Sequence, residues 1–223
     1  MPYELGNTNV ETWYIGSVMS NERKGYPLEW SEYIKSVAYI NPNDFGFRDN
    51  QGDINRFAAR FRAANKFRGI VLEGYREDTA NGYSALCQVM FTWSAFETFE
   101  KIAKLNRSDI SEELEHFGAI EVLNQIRVID KDNKFYQFIY ERVNDRHKKE
   151  LDSYFNQDSC NIIYLASAIR HIFAHGWLSP HANQADPKVV DRICHILSQF
   201  LLDFMDREFS SRVDKCFYGF KNS

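Results

Sequence analysis

The sequence predicts an all-α fold: an antiparallel helical bundle of about five main helices, with a mostly helical N-terminal elaboration. Two observations predict this class. From Tyr83 onward, apolar residues recur at spacings of three and four, which is the periodicity of helices with one buried face. No segment gives a convincing strand pattern, in which apolar and polar residues alternate. The bundle is predicted over residues 81–223 and the elaboration over residues 1–80.

The first two helices of the bundle follow directly from this spacing. Residues 82–105 form one long amphipathic stretch that is rich in aromatic side chains. Residues 108–127 form the next stretch, and Asp109 and Glu112 near its start have the spacing of a capping box. Each stretch is therefore predicted to be a single helix.

Three further helices complete the predicted bundle. Residues 135–155 form a helix whose polar middle is expected to be solvated and leaves room for a break. Residues 161–175 are almost entirely apolar, and Gly176 stands where a helix C-terminus favours glycine. After a polar loop, Asp186 as N-cap and Pro187 as first helical residue begin the last helix.

The N-terminal elaboration gives weaker signals. Residues 29–40 and 53–67 have helical periodicity, whereas residues 41–52 are rich in turn-forming residues. This part is predicted to consist of helices joined by turns.

Composition excludes several classes of protein. The net charge of -4 provides no global basic field of the kind that dedicated duplex-DNA binders carry. The four cysteines are far apart and are expected to be buried thiols in a reducing cytoplasm, without a metal or redox role. Neither a secretory leader nor a membrane span is indicated, so no membrane partner is expected. Glycine-rich phosphate loops and clustered Cys/His sets are absent from the sequence, so no cofactor or metal is expected.

One local segment is basic although the chain is acidic overall. Residues 54–76 carry six basic side chains and one acidic one. If this face binds phosphate, the candidate RNA-binding residues are Arg56, Arg60, Lys66 and Arg68. The alternative is a basic face that is solvated or paired with the acidic residues of the 112–121 stretch.

The strongest candidate site lies at the end of the 161–175 helix. Arg170, His171 and His175 stand inside an otherwise apolar segment, where charge is costly unless it has a partner or a purpose. His171 and His175 are four residues apart and share a face, whereas Arg170 and His175 diverge by about 140°. Arg170 and His175 therefore meet only if the helix end distorts or if two protomers contribute.

The same spacing occurs a second time. Arg142 and His147 lie in a run of polar residues that provides nothing to desolvate or immobilise the pair. This second match is interpreted as a solvated helix face.

A zinc site is a competing interpretation of the histidines. His171, His175 and His181 have the spacing of the three ligands in one class of zinc protease. Ile172 stands where that class needs a glutamate, and Leu178 stands where it needs a glycine. A catalytic zinc site is therefore not predicted.

These residues resemble a known family, the HEPN domains. Arg170, His171, His175 and Gly176 match the motif of its nuclease members, in which arginine and a polar residue are followed by three residues, histidine and often glycine. The resemblance covers roughly residues 80–215, but only the motif is specific. The first 80 residues lie outside it.

The resemblance implies an activity and an assembly. Nuclease members of this family are all-α dimers that cut RNA without metal, so a homodimer with one composite cleft is implied. By this resemblance His175 would be the general acid or base, Arg170 would counter the phosphorane charge, and His171 would position the pair or bind phosphate. A toxin or phage-defence role, with an antitoxin or a nucleotide-handling protein as partner, is also implied.

A non-enzymatic function remains the alternative. The same helices would then form a dimer that binds a nucleotide, an RNA or a protein partner. Arg170 would pair with an acid on a neighbouring helix, and both histidines would have only structural hydrogen bonds.

Overall fold

The computed structural model describes residues 25–156, 161–181 and 184–221. Within these ranges it contains helices and no strands, so the predicted all-α class is confirmed. Residues 1–24 of the elaboration, and Cys160, lie outside the described residues. The helices are α1 Trp30–Ser36, α2 Gln51–Lys66, α3 Glu77–Ala103, α4 Arg107–His116, α5 Ala119–Ile129, α6 Lys134–Arg142, α7 Asp145–Phe155, α8 Ile162–Ala174 and α9 Pro187–Lys221, with a short 3-10 helix at Pro42–Phe45.

The two longest helices, α3 and α9, form the centre of the bundle and run in the same direction. At one end Gly82 of α3 lies against Pro187 of α9. At the other end the Arg212 guanidinium donates a hydrogen bond to the Ala103 carbonyl oxygen at 3.0 Å. Helix α8 packs on α3. The contact of Pro180, shortly after α8, with Gly82 shows that α8 ends where α3 and α9 begin. The C-terminal end of α8 is thereby placed at the N-terminal end of both long helices.

The N-terminal helices share the core of the bundle. Tyr33 and Phe47 are completely buried, and both rings pack on Phe209 of α9. The Tyr33 hydroxyl donates to the Gln51 side chain at 2.8 Å. Residues 29–40 and 53–67 are helical over most of their length, as predicted. The described part of the elaboration is therefore packed against the bundle.

The prediction of one helix over residues 108–127 is wrong. Gly118 adopts a φ of 103° and separates α4 from α5. That conformation is unfavourable for residues with a Cβ, so glycine there ends the first helix. The N-terminal cap also differs from the prediction. Asn106 accepts hydrogen bonds from the amides of Ser108 and Asp109, at 2.9 and 3.0 Å.

The other helix boundaries follow the sequence closely. The predicted 135–155 helix is divided into α6 and α7 at its polar middle, where the sequence left a break open, and Asn144 caps α7 by accepting from the His147 amide at 3.0 Å. Asp186 caps α9 by accepting from the Lys188 amide at 2.9 Å, as predicted. Helix α9 continues far beyond its predicted apolar stretch, to Lys221.

Three of the four cysteines lie within the described residues. Cys194 and Cys216 are buried and Cys87 is half-buried, and all three are unbonded thiols. Burial raises the pKa of each of these thiols. In the part of the chain that the structure describes, no helix is long and apolar enough to cross a membrane.

Candidate functional site at the C-terminal end of α8

Helix α8 keeps a regular geometry to its last turn. His175 is its C-cap residue, and Gly176 follows with a φ of 75°. The Gly176 amide donates to the Phe173 carbonyl at 2.9 Å, and the Trp177 amide donates to the Ile172 carbonyl at 3.1 Å. This pair of bonds is a Schellman motif, which satisfies carbonyl groups that a helix end otherwise leaves unbonded. The predicted glycine stop is confirmed, and it fixes His175 immediately after the helix.

The two histidines of the motif are in contact. The ring centroids of His171 and His175 are 4.5 Å apart, with an angle of 67° between the planes. His171 is half-buried and His175 is exposed. The ring of Trp177, itself 59% exposed, lies 5.8 Å from that of His175. The site therefore opens to solvent on the side of His175 and Trp177.

A third imidazole, His147 of α7, lies behind this pair. Its ring is nearly parallel to that of His171, with centroids 6.4 Å apart. Its Nε2 is 3.2 Å from the Ser167 hydroxyl oxygen, and its Nδ1 is 3.0 Å from the Asn144 side-chain oxygen. Because the Asn144 oxygen can only accept, Nδ1 carries a proton and donates to it. The edge of the ring packs on Tyr164. Both ring nitrogens of His147 are therefore bonded within the protein.

The interpretation of the second Arg/His match as a solvated face is wrong for His147. His147 is half-buried against α8, whereas Arg142 lies over the Phe138 ring and next to Glu141. The sequence contains a signal for this contact, but the signal lies on α8 and not in the polar run around His147. Tyr164 and Ser167 are polar positions one helical turn apart on the otherwise apolar α8, and they lead along one face to His171.

Arg170 supplies positive charge beside the histidines. It is half-buried and makes no hydrogen bond or ion pair with any of the other residues that the structure describes. Burial, the neighbouring His175 and the charge of Arg170, in that order, lower the pKa of His171. Because α8 is regular, Arg170 and His175 lie on different sides of the helix and make no contact within one chain. The acid that the structural alternative would place against Arg170 is not found among the described side chains.

Two of the candidate RNA-binding residues have partners close to α2. Arg56 forms an ion pair with Asp53 one turn earlier on α2. Arg60 donates to the Thr98 hydroxyl on α3. Thr98 is 19 residues further along α3 than Thr79, which lies beside the loop after α8. At 1.5 Å per residue, Arg60 is roughly 30 Å from the α8 end along the helix.

The other two candidate residues lie at the C-terminal end of α2 and just beyond it, where Phe67 packs on Phe91 in the middle of α3. The stem of Lys66 packs against Gly25. The Arg68 guanidinium donates to the backbone carbonyls of Asn65 and Phe67, at 3.1 and 3.0 Å. Arg68 also lines a groove of about 1290 Å³ between α3, α5 and α9. The structure therefore brings none of the four basic residues into the histidine cluster, and none of the ion pairs described for them involves the 112–121 stretch.

His181, the third residue of the zinc-protease spacing, bonds elsewhere. Its Nε2 is 3.1 Å from the Thr79 hydroxyl oxygen at the start of α3. Among the described residues there is no group of three or more His, Cys, Asp and Glu side chains arranged to hold a metal ion.

Comparison with protein-family models, with curated proteins and with solved structures found no match for this chain. The geometry and chemistry of the site are therefore the basis for inferring its function.

Proposed function

We propose that the chain is a metal-independent endoribonuclease of the HEPN type, with its reactive groups at the end of α8. The observation that carries this proposal is the contact between His171 and His175, 4.5 Å apart, beside the positive charge of Arg170. An imidazole titrates near neutral pH and can both accept and return a proton. A guanidinium keeps its charge and can bind two phosphate oxygens at once.

These groups match the requirements of RNA cleavage by its own 2′-hydroxyl. The hydroxyl must lose a proton as it attacks the adjacent phosphorus, and the departing 5′-oxygen must gain one. The pentacoordinate phosphorane carries extra negative charge, which a nearby guanidinium stabilises. In the assignment that the family resemblance suggests, His175 transfers protons, Arg170 stabilises the charge and His171 positions the pair or binds phosphate.

The proposal includes a homodimer with a composite cleft. Within one chain Arg170 and His175 point to different sides of a regular helix. Two α8 ends apposed across a two-fold axis would bring the guanidinium of one protomer towards the imidazoles of the other. The exposure of His175 and Trp177 leaves this end of the helix accessible to a second protomer and to substrate.

Trp177 supports a single-stranded nucleic acid as substrate. Exposed tryptophan rings are uncommon because their apolar area favours burial. Beside a phosphate-binding group such a ring provides a surface on which a base can stack, and stacking of this kind does not depend on base identity. An unpaired base next to the scissile phosphate would fit this arrangement.

The biological setting that we propose follows from the same resemblance. The chain would act in the cytoplasm as the RNase of a toxin–antitoxin or phage-defence system, with RNA as its substrate. Its partner would be an antitoxin or a nucleotide-handling protein.

One observation favours a second candidate function, binding without cleavage. The groove between α3, α5 and α9 is lined by apolar side chains together with polar and charged ones, among them the amides of Asn81, Gln88 and Gln125. Large concave sites with a few polar groups are typical of ligand-binding pockets. In this case the helical dimer would bind a nucleotide, an RNA or a protein partner, and the Arg/His cluster would be structural.

The deciding experiment is RNA cleavage by protein treated with EDTA. Wild-type protein, His175→Ala and Arg170→Ala are each incubated with labelled single-stranded RNA and transfer RNA, and product ends are identified. We expect products with 2′,3′-cyclic phosphate from the wild type alone. The exposed His116 of α4 provides the matched control, because His116→Ala removes an imidazole outside both the cluster and the groove and should leave cleavage unchanged.

Circular dichroism and melting temperature distinguish the two functions. If the site is catalytic, Arg170→Ala and His175→Ala abolish cleavage with little change in melting temperature. If the cluster is structural, neither the wild type nor the variants cleave, and the variants melt earlier or dissociate.

A further inference from the structure

The two histidines of the site have different surroundings although they touch. His171 is half-buried, with His147 on one side and Arg170 next to it in the chain. His175 is exposed and stands at the C-cap, with Trp177 as its other ring neighbour. A reaction that needs one proton acceptor and one proton donor is served by two imidazoles in different protonation states.

Electrostatics determine which imidazole holds the proton. Two imidazolium ions whose rings are 4.5 Å apart repel each other, so the pair favours a state with a single proton. Burial and the charge of Arg170 disfavour the proton on His171. Both influences act in the same direction.

His147 keeps His171 in place without competing for substrate. Both of its ring nitrogens are bonded within the protein, to Asn144 and Ser167. Ser167 is one turn before His171 on the same face of α8, so His147 lies against the ring of His171 on the side away from His175. His147 is thus a positioning residue behind a proton acceptor.

We propose that His171 is the general base and His175 the general acid, and that both act from the same chain. This inference rests on the proposed ribonuclease function and deepens it, because His171, which the family resemblance makes a positioning or phosphate-binding group, here accepts the proton itself. The free imidazole nitrogen of His171 accepts the 2′-hydroxyl proton while the 2′-oxygen forms a bond to phosphorus. The bond from phosphorus to the 5′-oxygen breaks, and the proton of the His175 imidazolium passes to that oxygen. The products are a 2′,3′-cyclic phosphate and a 5′-hydroxyl, and the pair has exchanged its protonation states.

This division of roles is compatible with the composite dimer. The two imidazoles touch within one chain, whereas Arg170 lies on another side of the helix. A partner protomer would therefore contribute a guanidinium to the phosphate, and each chain would keep its own acid and base.

A substrate with a sulfur leaving group identifies the acid. In an oligonucleotide whose scissile 5′-oxygen is replaced by sulfur, the thiolate leaves without protonation. We expect His175→Ala to lose on the order of 10²–10⁴-fold in rate on the oxygen substrate and to recover most of it on the sulfur substrate. His171→Ala should lose a comparable factor on both substrates, since the base is still required.

Three outcomes contradict the assignment. Recovery of His171→Ala in place of His175→Ala on the sulfur substrate would show that the roles are reversed. Equal losses by His175→Ala on both substrates would show that it is not the acid. If wild-type protein cleaves neither substrate, the proposed function itself fails together with this inference. His171→Gln and His175→Gln, which preserve hydrogen-bonding capacity, serve as second variants if either alanine variant folds poorly.

Mixing of variants tests whether both groups act from one chain. The His171→Ala and His175→Ala proteins are combined under conditions that allow protomers to exchange. If acid and base belong to the same chain, no mixed site holds both, and the mixture stays as inactive as its parts. If they act across the dimer, half of the sites in each mixed dimer are complete, and the return of activity would overturn the same-chain assignment.

Discussion

His147 and Ser167 join two helices at the back of the histidine cluster, with 3.2 Å between Nε2 and the hydroxyl oxygen. The bond links the first turn of α7 to the face of α8 that ends in His171 and His175. Since Nδ1 of the same ring is bonded to Asn144, the cap of α7, the ring is held at both nitrogens. One side chain therefore connects the start of α7 to the face of α8 that carries His171.

The first prediction concerns this bond. Ser167→Ala removes the hydroxyl and leaves Nε2 of His147 without its partner in a half-buried place. We expect the free energy of unfolding to fall by about 1 kcal/mol, as measured by urea denaturation. Ser153 of α7, half-buried with no hydrogen bond described for its side chain, provides the control, and Ser153→Ala should change stability by less. An equal loss from both variants would mean that the His147 bond contributes nothing specific.

The second prediction concerns the protonation of His171. Its folded-state pKa is lowered, so the unfolded chain binds more protons than the folded protein once the pH drops below about 6.5. The contribution of this group to stability is therefore fully present above that pH and is lost as the pH falls through the folded-state pKa. An NMR titration of the His171 ring carbons should give a midpoint below that of an unfolded peptide.

Arg170→Met should raise that midpoint, because it removes one of the causes of the shift. Lys101→Met provides the control, since this exposed lysine is 22 residues further along α3 than Thr79, roughly 30 Å from the loop after α8. No change with Arg170→Met would mean that the guanidinium is directed away from His171 in solution.

Much of the fold was predictable because its signals are local. The apolar residues of α8, the glycine after it and the Asp186–Pro187 start of α9 each determine structure within a few neighbouring positions. The division between α4 and α5 was missed because a glycine inside an amphipathic pattern can either be tolerated in a helix or end it. The left-handed conformation of Gly118 decides this, and the sequence does not reveal it.

The candidate site was predictable only as far as it lies on one helix. Arg170, His171 and His175 are close in the chain, and helix periodicity alone places the two histidines together. His147 is 24 residues away from His171, and its contact depends on how α7 packs on α8. The polar sequence around His147 suggested solvation, and the packing of these two helices reverses that expectation.

The third prediction concerns Asp130, a buried carboxylate near the start of α6. It accepts hydrogen bonds from the amides of Phe135 and Tyr136, at 3.2 and 2.9 Å, which have no partner within the helix. Asp130→Ala would leave these buried donors unsatisfied, and we expect a loss of about 2–4 kcal/mol in unfolding free energy. Asp132→Ala, at an exposed neighbour, should cost much less.

The pH dependence of the same carboxyl provides a second measurement. Burial raises the pKa of Asp130, although its hydrogen bonds act in the opposite direction. A raised folded-state pKa means that this group stabilises the protein below its unfolded pKa of about 3.9, and that the contribution is lost as the pH rises through the folded value. Between the unfolded and the folded pKa values lies the pH window in which this contribution changes. The stability difference between wild type and Asp130→Ala should therefore be larger at the acidic end of that window. A difference that grows with pH over the window would contradict the raised pKa.

The fourth prediction concerns the contact that fixes the loop after α8. Gly82 lies in the second turn of α3, and a Cβ added there would be 2.7 Å from the Pro180 Cβ and 3.1 Å from its Cγ. Alanine normally stabilises a helix relative to glycine by up to about 1 kcal/mol, but the proline ring leaves no room for the methyl group. Pro180 is buried, so the loop itself must move. We expect Gly82→Ala to lower the melting temperature and to reduce RNA cleavage, because the loop also carries Trp177.

Asn81→Ala provides the matched control for this substitution. Asn81 is exposed and adjacent to Gly82, so the same helix receives an alanine without a clash. Its melting temperature should be unchanged or slightly higher, because alanine is the better helix former. If Gly82→Ala melts like Asn81→Ala and cleaves RNA like the wild type, the loop accommodates the methyl group. The end of α8 would then be positioned by the Schellman motif alone, without support from the packing of Pro180 on α3.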